Sequence, residues 1–277
     1  MEKGKLYLVA TPIGNLSDIS ERALKTLNDV DFIAAEDTRH TLKLLNHFGI
    51  KKNMISYFEH NKRERGEIIA EKILNGENCA LVTDAGTPAI SDPGEDLVVL
   101  CGELSIDVVP IPGPCAFVQA LIVSGLPTGR FSFEGFLSVN KTSRLNHLED
   151  IKTHTETLIF HEAPHKLRAT LKDLYSVLGD RRISLVKEIT KIHETVIRTN
   201  LKDAAVMFDE VPPKGEYVLV VEGFTKPKTT DEITDEFLVS RVNALIEQGV
   251  DKKSAIKETA IKYEVQKRRV YNLIIKN

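Results

Sequence analysis

The chain has 277 residues, 42% of them hydrophobic and 28% charged, with 37 basic against 40 acidic side chains and a formal net charge of −3. That length favours two packed domains with a small appendage, and so even a balance argues against a general polyanion binder, which carries a clearly basic domain. No apolar stretch approaches the ~20 residues that span a bilayer, Met1 to Val9 has no leader-type cleavage site, and Cys79, Cys101 and Cys115 lack metal-ligand spacing, as expected of thiols in a reducing cytoplasm.

Lys5-Leu6-Tyr7-Leu8-Val9-Ala10 is a near-continuous apolar run that breaks at Thr11-Pro12-Ile13-Gly14-Asn15, the pattern of a buried parallel strand entering a loop. A helix is expected from about Ser17-Asp18, with Ile19, Ala23, Leu24 and Leu27 on one face. Asp31 to Ala35 reads as a second strand ending on Glu36-Asp37-Thr38-Arg39, followed by a helix through Leu42, Leu45 and Phe48 that Gly49 stops. Asn78 to Thr83 and Asp107 to Ile111 read as further strands, ending on Asp84-Ala85-Gly86-Thr87-Pro88 and Pro112-Gly113-Pro114. Strands alternating with helices imply an α/β fold with a mostly parallel, doubly wound sheet.

Composition shifts near Thr128-Gly129-Arg130, and a polar, basic segment runs from Lys141 to Leu148. A second set follows: Thr157 to Phe160 as strand, Leu167 to Leu178 as helix, Ile183 to Val186 as strand, then hairpin-like strands at Thr195 to Ile197 and Tyr217 to Val221. Thr225 to Thr230 is a polar linker. These breaks place domains at 1–118, 119–228 and 229–277. In the last, Ile256, Ala260 and Tyr263 make one short helix face, Glu264-Val265 a turn, and Val270, Leu273 and Ile274 a second face. Residues 251–277 carry eight Lys or Arg against three acids, a net of +5, which leaves −8 for residues 1–250. Lys267-Arg268-Arg269 opens the second helix, where a helix-turn-helix would present it to phosphates. A solvated basic face explains the same charges.

In an open parallel sheet the loops at the carboxyl ends of the strands form the ligand crevice. Thr11 to Asn15 is therefore a candidate ligand loop, or a rigid turn capped by Asn15 or Ser17; it lacks the three-glycine dinucleotide fingerprint. Asp84 to Gly94 is denser, with Asp84 and Asp92 as acceptors for amine or ribose hydroxyls. Two carboxylates invite a metal reading, but neither a calcium-loop spacing nor a third nearby acid supports it. Glu36 to Thr41 opens a helix, where the bland alternative is an acidic cap with Arg39 as its ion-pair partner. Tyr57 to Asn61 could stack a base or form a packed aromatic pair.

Together, Leu8 to Leu16, Ala35 to Thr41, Asp84 to Gly94 and Ile111 to Pro114 resemble the tetrapyrrole methylase superfamily, and within it the branch that methylates small-subunit ribosomal RNA. The likeness continues in order through Glu162 to Leu167, Lys187 to Glu194 and Lys214-Gly215-Glu216. The resemblance implies two α/β domains with a cofactor cleft between them plus a small C-terminal helical unit, and a homodimer. It implies a cytoplasmic, S-adenosylmethionine-dependent 2′-O-methyltransferase acting on a cytidine in the decoding region of 16S rRNA within the small ribosomal subunit. By motif the cofactor would meet Pro12, Asp84, Gly86, Pro88, Ala89, Ile90, Cys115, Ala116, Phe160 and His161, with no metal. Cys115 stands where the family often has a small hydroxyl residue and His161 where an aromatic hydroxyl is usual, and Lys166 and Lys187 replace common arginines, keeping charge but losing the planar fork.

Methyl transfer from a sulfonium is an in-line displacement, so positioning supplies much of the acceleration, and an acceptor near the weakly nucleophilic hydroxyl helps. Glu36, Asp37 and Arg39 with Glu188 and Lys191 are expected to line the acceptor side. A small-molecule methylase of the same superfamily and a ligand-sensing DNA-binding regulator are the competing readings.

Overall fold

The computed structural model describes residues 2–225, 234–263 and 265–276, and the chain divides into two compact units, Met1–Phe224 and Thr225–Asn277. The linker after Thr225, the 228/229 boundary and Glu264 of the expected turn lie outside the described residues.

The first sheet is built from β1 (Lys5–Val9), β2 (Phe32–Ala35), β3 (Asn53–Ser56), β4 (Cys79–Val82) and β5 (Asp107–Ile111), interleaved with α1 (Glu21–Asp29), α2 (Thr38–His47), α3 (Lys62–Leu74) and α4 (Gly94–Glu103). Its strand order is β3-β2-β4-β1-β5, and every pairing is parallel, as the unbroken apolar runs predict. Alternate residues enter opposite cores: Leu6, Phe32, Ala34, Cys79 and Leu81 pack with α3 and α4, while Val9, Ile33, Ala35, Ala80 and Val82 pack with α1 and α2. Helix α1 starts later than expected, because Asn15 caps a short 3-10 turn at Leu16–Asp18 and Ser20 then caps α1 itself. The chain leaves β1 toward β2 on one side of the sheet and leaves β4 toward β5 on the other. The loops after these adjacent strands therefore diverge, which opens a crevice at the topological switch point.

The second sheet is mixed. After α5 (Ala116–Ser124) come β6 (Phe131–Phe136), α6 (Lys141–Ile151), β7 (Thr157–Glu162), α7 (Pro164–Leu178), β8 (Arg182–Lys187), β9 (Thr195–Asn200), α8 (Leu201–Met207) and β10 (Tyr217–Val221). The order is β6-β7-β10-β8-β9; β6 and β7 are parallel, while β10 runs antiparallel to β7 and β8, and β8 to β9. The mostly parallel pattern of the first half does not extend to this sheet, whose strands at Thr195 to Ile197 and Tyr217 to Val221 were expected to be hairpin-like and do run antiparallel to their neighbours. The last strand, apolar at every position, inserts at the centre of the sheet, where both faces are buried. One face carries Leu158, Phe160, Leu185 and Leu219 against α6, α7 and α8, the other Ile159, Val186, Val218 and Val220 against α5.

The second unit holds three helices, α9 (Asp235–Glu247), α10 (Lys252–Lys262) and α11 (Lys267–Lys276), around Leu238, Val242, Ile256, Ala260 and Val270. Two were expected; α9, capped by Thr234, was not. Helix α11 begins at the Lys267-Arg268-Arg269 run, and Arg269 is held by Asp235 at 2.7 Å. No helix among the described residues is long and apolar enough to cross a membrane.

Candidate active site in the cleft between the two sheets

The crevice at the switch point is pinned by main chain. Thr11 N–H donates to Gly86 O at 2.9 Å and Gly86 N–H returns a bond to Thr11 O at 3.1 Å, so the loops after β1 and β4 meet as a miniature antiparallel bridge. The Thr87 hydroxyl fastens the third loop by donating to Pro114 O at 2.9 Å. Three contiguous chambers sharing Ile13 and Ala85 extend from this bridge.

The largest, about 590 Å³, lies between Pro12, Ile13, Gly14, Asp84, helix α2 and Lys191. A second, about 250 Å³, is bounded by Ala116, Phe136, His161, Glu188 and Lys191. The third, about 200 Å³, takes in Glu36, Gly86, Ile90, Cys115 and His161. Lys191 lines both the first and second chambers and stands at the seam.

Lys191 is fixed from several directions. Its Nζ donates to Glu188 Oε1 at 2.9 Å and Glu216 Oε2 at 2.8 Å, and Glu216 N–H donates to Glu188 Oε1 at 2.9 Å. A Cβ on Gly14 would sit 2.4 Å from Lys191 Cγ, so only glycine lets the lysine cross the β1 loop. Gly215, at φ +80°, is required twice over, because a Cβ there would also meet Glu188 Cγ at 2.6 Å. Glu188 and Thr190 hold left-handed φ of 51° and 63°, strain of the kind that accumulates in functional loops. Burial lowers the Lys191 pKa, but the bonds to Glu216 and Glu188 outweigh it and the net shift is upward; Glu188 is lowered, first by the Glu216 N–H and then by Lys191. Both groups are charged at neutral pH.

The acids of the first sheet act largely as braces. Glu36 Oε2 accepts from the Thr83 hydroxyl at 2.6 Å and from Asp84 N–H at 3.3 Å, and Asp84 Oδ1 accepts from Asp37 N–H at 3.1 Å. Asp84 is raised by burial and then by the Glu36 carboxylate. Asp92 Oδ1 takes the N–H groups of Ala89 and Gly94 at 3.1 and 2.7 Å, so the second acid of that loop folds its turn. Asp37 caps α2 and grips Arg39 Nη2 at 2.8 Å, the bland arrangement weighed above; the Arg39 side chain is 88% exposed.

Of the expected cofactor contacts, Pro12, Asp84, Gly86, Ile90, Cys115, Ala116 and His161 line the chambers. Phe160 points into the α7 core, one strand position out of phase with His161. Pro88 is buried and Ala89 sits in the Asp92 turn. The Tyr57 hydroxyl donates to Pro93 O from a buried site. Among the residues not singled out, His40, Lys43 and His47 line the large chamber, although their helical spacing was open to view. Phe136, with Lys166 Nζ 5.4 Å above its ring, was also passed over.

The strongest sign of a ligand is His161. Its Nε2 is buried without a hydrogen-bond partner, and burial lowers its pKa, so the ring is neutral and retains hydrogen-bonding capacity inside the cleft. No cluster of three or more metal-type ligands occurs among the described residues.

Residues 5–205 match the sequence pattern of the family described as Tetrapyrrole (Corrin/Porphyrin) Methylases. The chain is 47% identical to "Ribosomal RNA small subunit methyltransferase I" of Synechocystis sp., covering 98% of this chain and 97% of that protein. It is 48% identical to the protein of the same name from Halalkalibacterium halodurans, covering 98% and 95%. Among solved structures it is similar to uroporphyrin-III C-methyl transferase from Thermus thermophilus complexed with S-adenyl homocysteine, with TM-score 0.54, 18% identity and coverage of 78% and 97%.

Proposed function

Because the chain belongs to the tetrapyrrole methylase family, and to the group of its members named ribosomal RNA small subunit methyltransferase I, we propose that this methyltransferase uses S-adenosylmethionine to methylate the ribose 2′-oxygen of a cytidine in the decoding region of 16S rRNA. The substrate is the small ribosomal subunit, the enzyme is a cytoplasmic homodimer, and residues 1–118, 119–228 and 229–277 act as two α/β domains and a helical unit. The observation that carries the reading is the seam. Lys191 borders two chambers at once, one walled by His40, Lys43 and His47 together with Asp84, the other by Ala116, Phe136 and Val218 together with Glu162 and Glu188.

The residues suit the cofactor. Ile13, Ala85, Ala116, Val186 and Val218 offer apolar contact for a purine, and the unpartnered His161 Nε2 offers a hydrogen bond. Asp84 offers a carboxylate to hydroxyl or cationic groups. When bound, S-adenosylmethionine supplies an electrophilic methyl group. The chain's part is to hold the acceptor in line, worth several kcal/mol of the barrier, and to exclude water. In this division the Asp84 loop holds cofactor, while Glu36 to Arg39 and Glu188 with Lys191 serve the acceptor. Lys191, kept charged by Glu216 and Glu188, acts as a hydrogen-bond donor to sugar or phosphate oxygen and not as a proton acceptor.

The test is incubation with labelled S-adenosylmethionine and small subunits from a strain lacking the modification, followed by mapping of the methylated nucleotide. Label at a cytidine 2′-oxygen is expected. Transfer only to a tetrapyrrole, or no transfer with specific duplex DNA binding, overturns the proposal.

A further inference from the structure

The outer wall of the largest chamber is α2, and α2 contains no acidic residue. His40, Lys43 and His47 fall at i, i+3 and i+7, one face of the helix, and all three line the chamber above the apolar Leu16 and Leu44. Each is exposed. Among the described residues none has a carboxylate within 4.0 Å. A lysine with no carboxylate partner, flanked by two imidazoles equally without one, is conspicuous here, because residues 1–250 carry a net −8. On a convex surface they would be ordinary solvated side chains; these face a cavity of about 590 Å³.

The row also has a direction. Asp84 lies at its inner end, within the electrostatic reach of His40. At ~1.5 Å rise per residue, Lys43 lies about 4.5 Å and His47 about 10 Å further along the helix axis. The row thus leads from the chamber's inner end outward. A large anionic acceptor entering this chamber would place its reacting sugar inside and its flanking backbone along α2.

We infer that the His40, Lys43 and His47 face of α2 is the track for the RNA strand flanking the acceptor nucleotide. Lys43 neutralises a backbone phosphate; His40 and His47 donate N–H bonds to phosphate or sugar oxygens or stack on unpaired bases. The partner is single-stranded, because sequence-specific RNA recognition uses splayed bases that can stack on side chains such as histidine. This inference rests on the RNA reading above.

The test compares wild type with Lys43→Gln, His47→Gln and Lys43→Arg, using undermethylated small subunits across a salt series and saturating cofactor. Lys43→Gln is expected to raise KM about three- to tenfold, the range of a partly exposed charge-assisted contact, with kcat little changed. The slope of log affinity against log salt should shrink by about 0.7, the value for one phosphate on a single strand. His47→Gln raises KM less and leaves the slope intact, and Lys43→Arg restores both quantities. Calorimetric cofactor affinity stays at the wild-type value in all three. An unchanged KM and slope in Lys43→Gln, with wild type active on subunits, overturns the track alone. Wild type that transfers no methyl to rRNA overturns the underlying reading.

Discussion

Replacing Gly14 with alanine isolates the seam from everything else in the cleft. The added Cβ would lie 2.4 Å from Lys191 Cγ and 3.1 and 3.2 Å from its Cε and Cδ, so the lysine must swing away while the β1 loop keeps its bridge to Gly86. What is lost in stability is two ion pairs, one with a carboxylate that is 79% exposed. Solvent-screened pairs contribute about 0.2–1 kcal/mol each, so unfolding should shift by less than about 2 kcal/mol, a few degrees in a unit of this size. Misplacing a group by about 1 Å at a reacting centre can cost about a hundredfold in rate. Gly14→Ala should therefore lose about two orders of magnitude in single-turnover methyl transfer to small subunits, with cofactor affinity within twofold of wild type. Lys191→Ala should match it, and the double variant should be no worse than either, because both remove the same ammonium. Full activity in Gly14→Ala, or losses that multiply in the double variant, would refute the assignment of Lys191 to the seam.

Asp84→Ala is expected to weaken cofactor binding in calorimetry, whereas Arg39→Ala leaves it intact and abolishes methylation; equal loss of cofactor affinity in both would end the division of the cleft into two sides. His161→Phe should reduce cofactor affinity about tenfold, the value of one hydrogen bond in a dry site. Because burial depresses the folded His161 pKa, the unfolded chain binds its proton more readily. The contribution of His161 to stability is complete above about pH 6.5 and declines as pH falls below it. Denaturant melts between pH 7 and 5 should fall less steeply for His161→Phe than for wild type. Arg144, whose guanidinium binds Asp173 at 2.7 and 2.8 Å and Ser138 O at 2.8 Å from a buried site, should cost about 3–5 kcal/mol as Arg144→Ala by stranding the carboxylate, a drop of about 10 °C in Tm. A drop under 2 °C would mean that water already reaches the pair.

What the chain encodes locally could be read from it directly. The parallel pairing of the first sheet follows from near-continuous apolar runs such as β1, β2 and β4, and the loops of the cleft follow from where proline and glycine interrupt those runs. Helices α7 and α10 were legible from the apolar positions that recur along them, whereas α9 was not singled out. The loops of the cleft were legible as loops, but the duties of their side chains were not. Asp37 and Arg39 satisfy each other at a helix cap, Asp92 folds its own turn, and Phe160 faces the core because strand residues alternate; this last was available from period alone. Tertiary structure decided what depends on pairs distant in sequence: β10 entering between β7 and β8, Glu216 reaching Lys191 across 25 positions, and Gly14 lying beneath the lysine of another sheet's loop. A chain's periodicity reports which face of an element is buried. It carries no record of which element will stand opposite, and the seam of this cleft is made wholly of such opposites.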